Sequence, residues 1–118
     1  MTDKLVVLVT CGSAAEARRI ARALVEARLA ACVNVVKAPV RSVYRWKGKV
    51  ESATERLLVI KTSRGRFDAL RKEVERLHRY DVPEIIALPI AGGSSAYLKW
   101  LSEGLAVQRK ESKGKRKR

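Results

Sequence analysis

The stretch Val40-Arg-Ser-Val-Tyr-Arg-Trp-Lys-Gly-Lys-Val50 decides the fold of this chain. Its first part alternates between the two faces of a strand, with Tyr44 and Trp46 on the same face. Lys47-Gly48 is a hairpin turn signal, after which residues 49–62 return as another strand. Because the returning strand starts polar and ends apolar, we expect the hairpin tip to project beyond the core. Exposed aromatic side chains on such a projection favour a partner-binding role.

The segments before the hairpin predict a strand, a helix and a further strand. Residues 4–11 are a continuous β-branched run, which is typical of a central strand buried on both faces. A helix follows to about residue 29, and it opens with a capping box of Ser13 and Glu16. Residues 31–46 are predicted as one long strand, bent near Pro39 because proline cannot donate to a strand ladder.

The segments after the hairpin complete the pattern. Residues 64–78 predict a second helix, residues 84–90 a fourth strand, and the residues after Gly92-Gly93 a last short helix. The order β-α-β-β-α-β predicts an α+β, ferredoxin-like fold within residues 1–107, with one antiparallel sheet, two helices on one face and an extra C-terminal helix. No segment of the chain is left to cover the other face, so we expect an oligomer.

The charge is strongly positive and unevenly placed. The net charge is +14, and residues 108–118 carry seven basic residues against one acidic residue. This basic tail has no apolar residue, so it is predicted to be a disordered solvated tail, with at most non-specific nucleic-acid contacts. A single Asn, a single Gln and many ionic residues are typical of a thermostable protein.

The composition also excludes several classes of protein. Two cysteines and one histidine exclude a disulfide scaffold and a single-chain zinc finger. No stretch approaches the roughly 20 apolar residues of a membrane span, and the first residues lack the apolar length of a secretory signal. We therefore expect a cytoplasmic protein with reduced thiols and no membrane partner.

The predicted topology gathers distant polar residues at one end of the sheet. These residues are Thr10, Cys11, Ser13, His78, Tyr80, Asp81 and Glu84. The thiol of Cys11, the imidazole of His78 and the carboxylate of Glu84 could together bind copper or zinc. Cys11 precedes a helix N-terminus, which predicts a lowered thiol pKa.

Two other interpretations of this end stay open. Cys11 could be a small buried hydrophobe, with His78 placed at a helix C-terminus for its dipole. A Cys–His nucleophile pair is the third interpretation, although no third orienting residue can be named.

Further residues are candidates for a ligand pocket or a subunit interface. Tyr44 and Trp46 would act as interface anchors or as ligand stackers. Lys61 lies near a strand end, where it could pair with Glu84 or with a ligand. Trp100 in the last helix is the remaining candidate.

Five collinear segments of the chain form a recognisable set. They are Ala-Arg-Ala-Leu-Val-Glu-Ala-Arg-Leu-Ala-Ala-Cys-Val-Asn-Val (21–35), Ser-Val-Tyr-Arg-Trp-Lys-Gly-Lys-Val (42–50), Ile-Lys-Thr (60–62), Leu-His-Arg-Tyr-Asp-Val-Pro-Glu-Ile (77–85) and Tyr-Leu-Lys-Trp-Leu (97–101). Together these segments closely resemble the CutA divalent-cation tolerance family. The resemblance implies a ferredoxin-like homotrimer whose long hairpins clasp neighbouring subunits. It also implies a cytoplasmic, non-enzymatic role in the response to divalent cations, above all copper.

The resemblance carries over only part of the family's copper ligands. His78 matches the second of two adjacent family histidines, whereas Leu77 stands at the first. The family cysteine aligns with Val9, and Cys11 lies two residues later. The resemblance therefore implies weak binding of copper or another divalent cation through His78, with Cys11 as a substitute ligand.

Two alternative functions belong to other classes of protein. The resemblance also implies an architecture related to the trimeric PII signalling proteins, so a small anion could bind at subunit clefts. Residues 49–62 lack the aromatic side chains with which RNA recognition domains stack bases, which argues against a sequence-specific RNA-binding module. A single histidine and the lack of a phosphate-binding loop argue against an enzyme.

Overall fold

A continuous strand that follows the hairpin turn organises the sheet. In the computed structural model, which describes residues 1–106, the elements are β1 (Lys4–Cys11), α1 (Ala14–Glu26), β2 (Cys32–Val35), β3 (Val40–Trp46), β4 (Lys49–Ser63), α2 (Arg64–Leu77), β5 (Ile85–Pro89) and α3 (Ser95–Leu105). β4 pairs antiparallel with β1, β2 and β3, and β5 pairs with the other edge of β1. The sheet order β2-β4-β1-β5 confirms the predicted ferredoxin-like α+β fold.

The prediction of one long strand over residues 31–46 is wrong. The segment divides into β2 and β3, and residues 36–39 between them are not in a strand. Pro39 has no N–H to contribute to the ladder, although the N–H of Val36 still donates to the carbonyl of Leu57 at 3.0 Å. β4 is uninterrupted, so it holds both pieces in one register. The basic tail predicted over residues 108–118 lies outside the described residues.

The hydrophobic core lies between one face of the sheet and helices α1 and α2. Leu58 and Ile60 of β4 are fully buried there, as are Ile20 of α1 and Leu70 of α2. Ser13 caps α1, because its Oγ accepts the N–H of Glu16 at 3.1 Å. The alternation of buried and part-exposed residues along β1 assigns every second side chain to this core.

The opposite face of the sheet is left open by the described residues. The strand register places Leu8, Val59 and Ile86 side by side on this face. Ile86 is 48% exposed and Leu88, on the same face, is 51% exposed. The prediction of an uncovered face is thus confirmed for residues 1–106.

The hairpin of β3 and β4 extends past the sheet, as predicted. Val43 and Val50 near its tip are 69% and 65% exposed. Lys47 and Gly48 form the turn with positive φ angles of 51° and 81°. The hairpin therefore presents apolar and aromatic side chains away from the core that α1 and α2 cover.

Helix α3 packs close to the chain segment that leads into β2. A Cβ on Gly104 would lie 3.1 Å from Cβ of Ala31, so this approach suits glycine. The ring of Trp100 lies 5.5 Å from that of Tyr97 on the same helix. None of the helices among residues 1–106 is both long and apolar enough to cross a membrane.

Candidate functional site

The end of the sheet where β1 meets α1 holds two adjacent features. One is a buried cluster of Cys11, Glu16 and His78. The other is a cavity of about 720 Å³ that opens beside it. Residues from the loop between α2 and β5 contribute to both features, which fits the predicted gathering of distant polar residues.

The carboxylate of Glu16 joins two loops that are far apart in sequence. Its Oε1 accepts the N–H of Gly12 at 3.0 Å, and its Oε2 accepts the N–H of Arg79 at 2.8 Å. The predicted capping box had Glu16 reaching back toward Ser13, and the carboxylate in fact reaches one residue further. Glu16 is only 2% exposed, so these two amides supply hydrogen bonds that water would otherwise provide.

His78 is held on both ring nitrogens. Its Nε2 lies 2.7 Å from the carbonyl oxygen of Thr10, and its Nδ1 lies 3.1 Å from the N–H of Tyr80. A carbonyl can only accept and an amide N–H can only donate, so the ring carries its proton on Nε2 and is neutral. Nδ1 is also 3.7 Å from Oε2 of Glu16. The ring therefore has no lone pair free to activate the Cys11 thiol as a nucleophile.

The predicted lowering of the Cys11 pKa is wrong. Burial, together with the nearby carboxylates of Glu16 and Glu55, raises the pKa of the thiol to about 12. Arg19 lowers the pKa of the thiol, but by less than burial and the two carboxylates raise it. Cys11 is fully buried and stays a thiol near neutral pH.

The donor atoms of the cluster lie close enough together to bind one metal ion, but they are not in the protonation state that metal binding requires. One ligand atom from each of Cys11, Glu16 and His78 lies within 4.8 Å of the others. A soft or borderline ion such as copper accepts thiolate and imidazole ligands. The thiol must first lose its proton, and His78 must first release a hydrogen bond, so the residues fit a metal ion poorly as they stand.

The cavity is lined by the open end of the sheet, the hairpin and the α2–β5 loop. Its lining residues are Thr10, Ser42, Val43, Tyr44, Trp46, Glu55, Tyr80, Asp81, Val82, Pro83 and Glu84. The Tyr80 hydroxyl donates to Oε2 of Glu55 at 2.8 Å, and burial together with this carboxylate raises the pKa of Tyr80. A Cβ on Gly12 would lie 3.2 Å from that hydroxyl, so a larger residue there would crowd the ring.

The structure distributes the sequence-predicted residues among several places. Thr10, Tyr44, Trp46, Tyr80, Asp81 and Glu84 line the cavity, so Glu84 is separated from the cluster that holds Cys11 and His78. Lys61 donates a hydrogen bond to Asn34 of β2. Ser13 caps the N-terminus of α1, and the ring of Trp100 lies against that of Tyr97 within α3.

Sequence reasoning missed two carboxylates at this end. Glu16 was interpreted only as part of a capping box, although a carboxylate at that position of a first helical turn is close to the end of the preceding strand. Glu55 could have been found from the hairpin register, because a Lys47-Gly48 turn places it opposite Val40 and on the face of Tyr44.

The fold and this end of the sheet define a ferredoxin-like α+β protein with an open sheet face and a buried thiol, carboxylate and imidazole. Residues 5–104 match the family model described as CutA1 divalent ion tolerance protein. The divalent-cation tolerance protein CutA of Thermus thermophilus is 54% identical over 98 residues, which is 83% of this chain and 94% of that protein. The solved structure of a divalent cation tolerance protein from Thermus thermophilus superposes with a TM-score of 0.84 at 51% identity, and the match covers 87% of this chain and 99% of that chain.

A plant relative extends the similarity beyond bacteria. The chloroplastic protein CutA of Arabidopsis thaliana is 48% identical over 97 residues, and the match spans 53% of that relative's length. This chain belongs to the CutA divalent-cation tolerance family. These matches give no support to the PII-like or nucleic-acid-binding alternatives, and the Thermus thermophilus relative is named for divalent-cation tolerance.

Replacing the buried carboxylate tests the role of Glu16 in this end of the fold. Glu16→Ala leaves the amides of Gly12 and Arg79 without an acceptor, so we expect a loss of about 2–4 kcal/mol in the free energy of unfolding. Glu26→Ala on the same helix removes only an exposed pair with Arg22 and should cost less than about 1 kcal/mol. Urea unfolding measures both, and equal losses would contradict the role given to Glu16.

The protonation of Cys11 predicts a loss of stability at alkaline pH. The folded chain holds this proton more tightly than the unfolded chain, so the stabilisation is complete below pH 9.0 and is lost as the pH rises toward about 12. Cys11→Ala should make the decline in unfolding free energy with pH shallower, whereas Cys32→Ala should leave its slope unchanged. Urea unfolding at a series of pH values around 9.0 measures the slope of the unfolding free energy with pH. Identical slopes in the two variants would contradict the raised pKa of Cys11.

Proposed function

We propose that this chain acts as a cytoplasmic homotrimer in divalent-cation tolerance, with weak copper binding at the cluster and no catalytic activity. The observation that carries the metal part is the approach of Cys11, Glu16 and His78 to within 4.8 Å. Family membership supports the tolerance role. Both nitrogens of His78 are engaged, which supports a role without nucleophilic catalysis.

The open sheet face supports the proposed assembly. Ile86 and Leu88 expose about half of their apolar surface there, and the hairpin presents Tyr44 and Trp46 at 44% and 42% exposure. Contiguous exposed apolar surface of this kind favours burial against another subunit. In a closed ring of subunits, each hairpin contacts the neighbouring subunit, so the open sheet face and the hairpin are both covered.

The reduced cysteines support the proposed compartment. Cys11 and Cys32 are both free thiols. A reducing compartment such as the cytoplasm preserves free thiols, whereas an oxidising one promotes disulfides. Relatives are described as chloroplastic in Arabidopsis thaliana and as periplasmic in Archaeoglobus fulgidus, so the compartment differs within the family.

Competition with protons and with hydrogen bonds supports weak rather than tight copper binding. A copper ion at the cluster must displace the proton of Cys11, whose pKa is raised to about 12, and must break the contact of His78 with Thr10 or Tyr80. Both changes oppose binding near neutral pH. Each carboxylate oxygen of Glu16 accepts one amide N–H and keeps a second lone pair, so Glu16 is the ligand of the three that an ion can reach at the lowest cost.

Copper titration of the metal-stripped chain, followed by native mass spectrometry, tests the metal site. We expect copper uptake that increases with pH, because deprotonation of Cys11 limits it. Cys11→Ser should abolish uptake at the cluster, whereas Cys32→Ser keeps the site intact and serves as the matched control. Equal uptake by the two variants would rule out Cys11 as a ligand.

The same spectra report the oligomeric state, and Trp46 provides its test. If Trp46 anchors the interface, Trp46→Ala should weaken assembly by on the order of 2 kcal/mol. Lys99→Ala on the exposed side of α3 is the control and should leave the dissociation midpoint unchanged. A trimer that dissociates at the same dilution in both variants would show that Trp46 does not anchor it.

A further inference from the structure

The lining of the cavity has a charge opposite to that of the chain. The chain carries a net charge of +14 and only twelve acidic residues. Three of those acids, Glu55, Asp81 and Glu84, line the cavity, and no lysine or arginine does so among the described residues. Such a lining repels an anion and attracts a cation by its local field.

Glu55 supplies an independent indication that the cavity suits a cation. It is 6% exposed, and its hydrogen-bond partner is the hydroxyl of Tyr80, a neutral group, on Oε2. Within residues 1–106, no lysine or arginine forms a salt bridge with it. A buried carboxylate is costly unless a positive charge or several donors compensate it. A cation bound in the cavity next to Glu55 would supply that positive charge.

The spacing of the carboxylates disfavours a bare metal ion in the cavity. Among the described residues, the donor group compact enough to hold one ion is the buried cluster with Cys11, and it includes none of the three cavity carboxylates. Glu55, Asp81 and Glu84 therefore do not converge on a single point. A ligand with separate positive groups matches them better than a single small ion does.

The aromatic walls favour an organic cation. Tyr44, Trp46 and Tyr80 are three of the chain's six aromatic residues, and all three line the cavity. Aromatic faces attract ammonium and guanidinium groups, which give up water more readily than metal ions do. The volume of about 720 Å³ lies within the range usual for small-molecule sites.

We propose that this cavity binds an organic cation bearing ammonium or guanidinium groups, with Glu55 as the buried counter-charge and Tyr44, Trp46 and Tyr80 as the aromatic walls. The cation is either a free polyamine-like molecule or a lysine or arginine side chain from a second copy of this chain. The site is separate from the Cys11 cluster and needs no metal. Its test therefore fails or succeeds independently of copper binding.

Titration calorimetry of the full chain with spermidine, in the absence of metal, tests the free-ligand source. We expect saturable binding that weakens with added salt, and a loss of about tenfold or more in affinity in Glu55→Gln. Glu103→Gln removes the same charge from an exposed position of helix α3 and should bind like the parent chain. Glu84→Gln, at an exposed position, repeats the test in case Glu55→Gln fails to fold.

Dilution experiments on the same variants test the second source, which rests on the proposed assembly. If a side chain of a second copy fills the cavity, spermidine will not bind, and Glu55→Gln or Glu84→Gln will dissociate at a higher protein concentration than Glu103→Gln. Equal spermidine affinity in the cavity variants and in Glu103→Gln overturns the free-ligand source. The absence of binding together with equal dissociation in all variants overturns the proposal as a whole.

Discussion

One buried carboxylate holds the functional end of this molecule together. Glu16 accepts the N–H of Gly12 at the end of β1 and the N–H of Arg79 after α2, and the second of these contacts spans 63 residues of sequence. Tyr80 follows directly, and its hydroxyl reaches Glu55 on β4. The loop between α2 and β5, which forms one wall of the cavity, is therefore positioned by a carboxylate in the first turn of α1.

The same contacts that stabilise this end restrain its chemistry. The imidazole of His78 is neutral because a carbonyl and an amide N–H engage its two nitrogens, and burial keeps the thiol of Cys11 protonated. Metal binding at the cluster must therefore compete with structure, since each ligand atom already has a proton or a hydrogen-bond partner. A metal ion would therefore need a concentration high enough to displace those protons and hydrogen bonds before it occupied the cluster.

Charge is distributed over the molecule in a way that the net value conceals. A chain of strongly positive charge suggests an anionic partner, yet the cavity along the hairpin concentrates carboxylates and aromatic rings. Local fields in a cleft depend on the nearest groups, because water and salt screen distant charges within about 10 Å. The two polar features at this end thus differ in kind: the buried cluster offers soft ligand atoms, and the cavity offers counter-charges and aromatic faces.

The sequence alone determined the fold class, the order of elements, the projecting hairpin and the open sheet face. These features follow from local periodicity, turn signals and the count of segments available to cover a sheet. The topology also brought His78 close to Cys11 in the prediction. Only the tertiary structure decided that residues 36–39 break the long strand and that Cys11 is buried with a raised pKa. It also decided that Glu16 rather than Glu84 joins the cluster, and that Glu55 faces the cavity. The reason is that protonation and ligand geometry depend on burial and on partners distant in sequence, which local patterns do not encode.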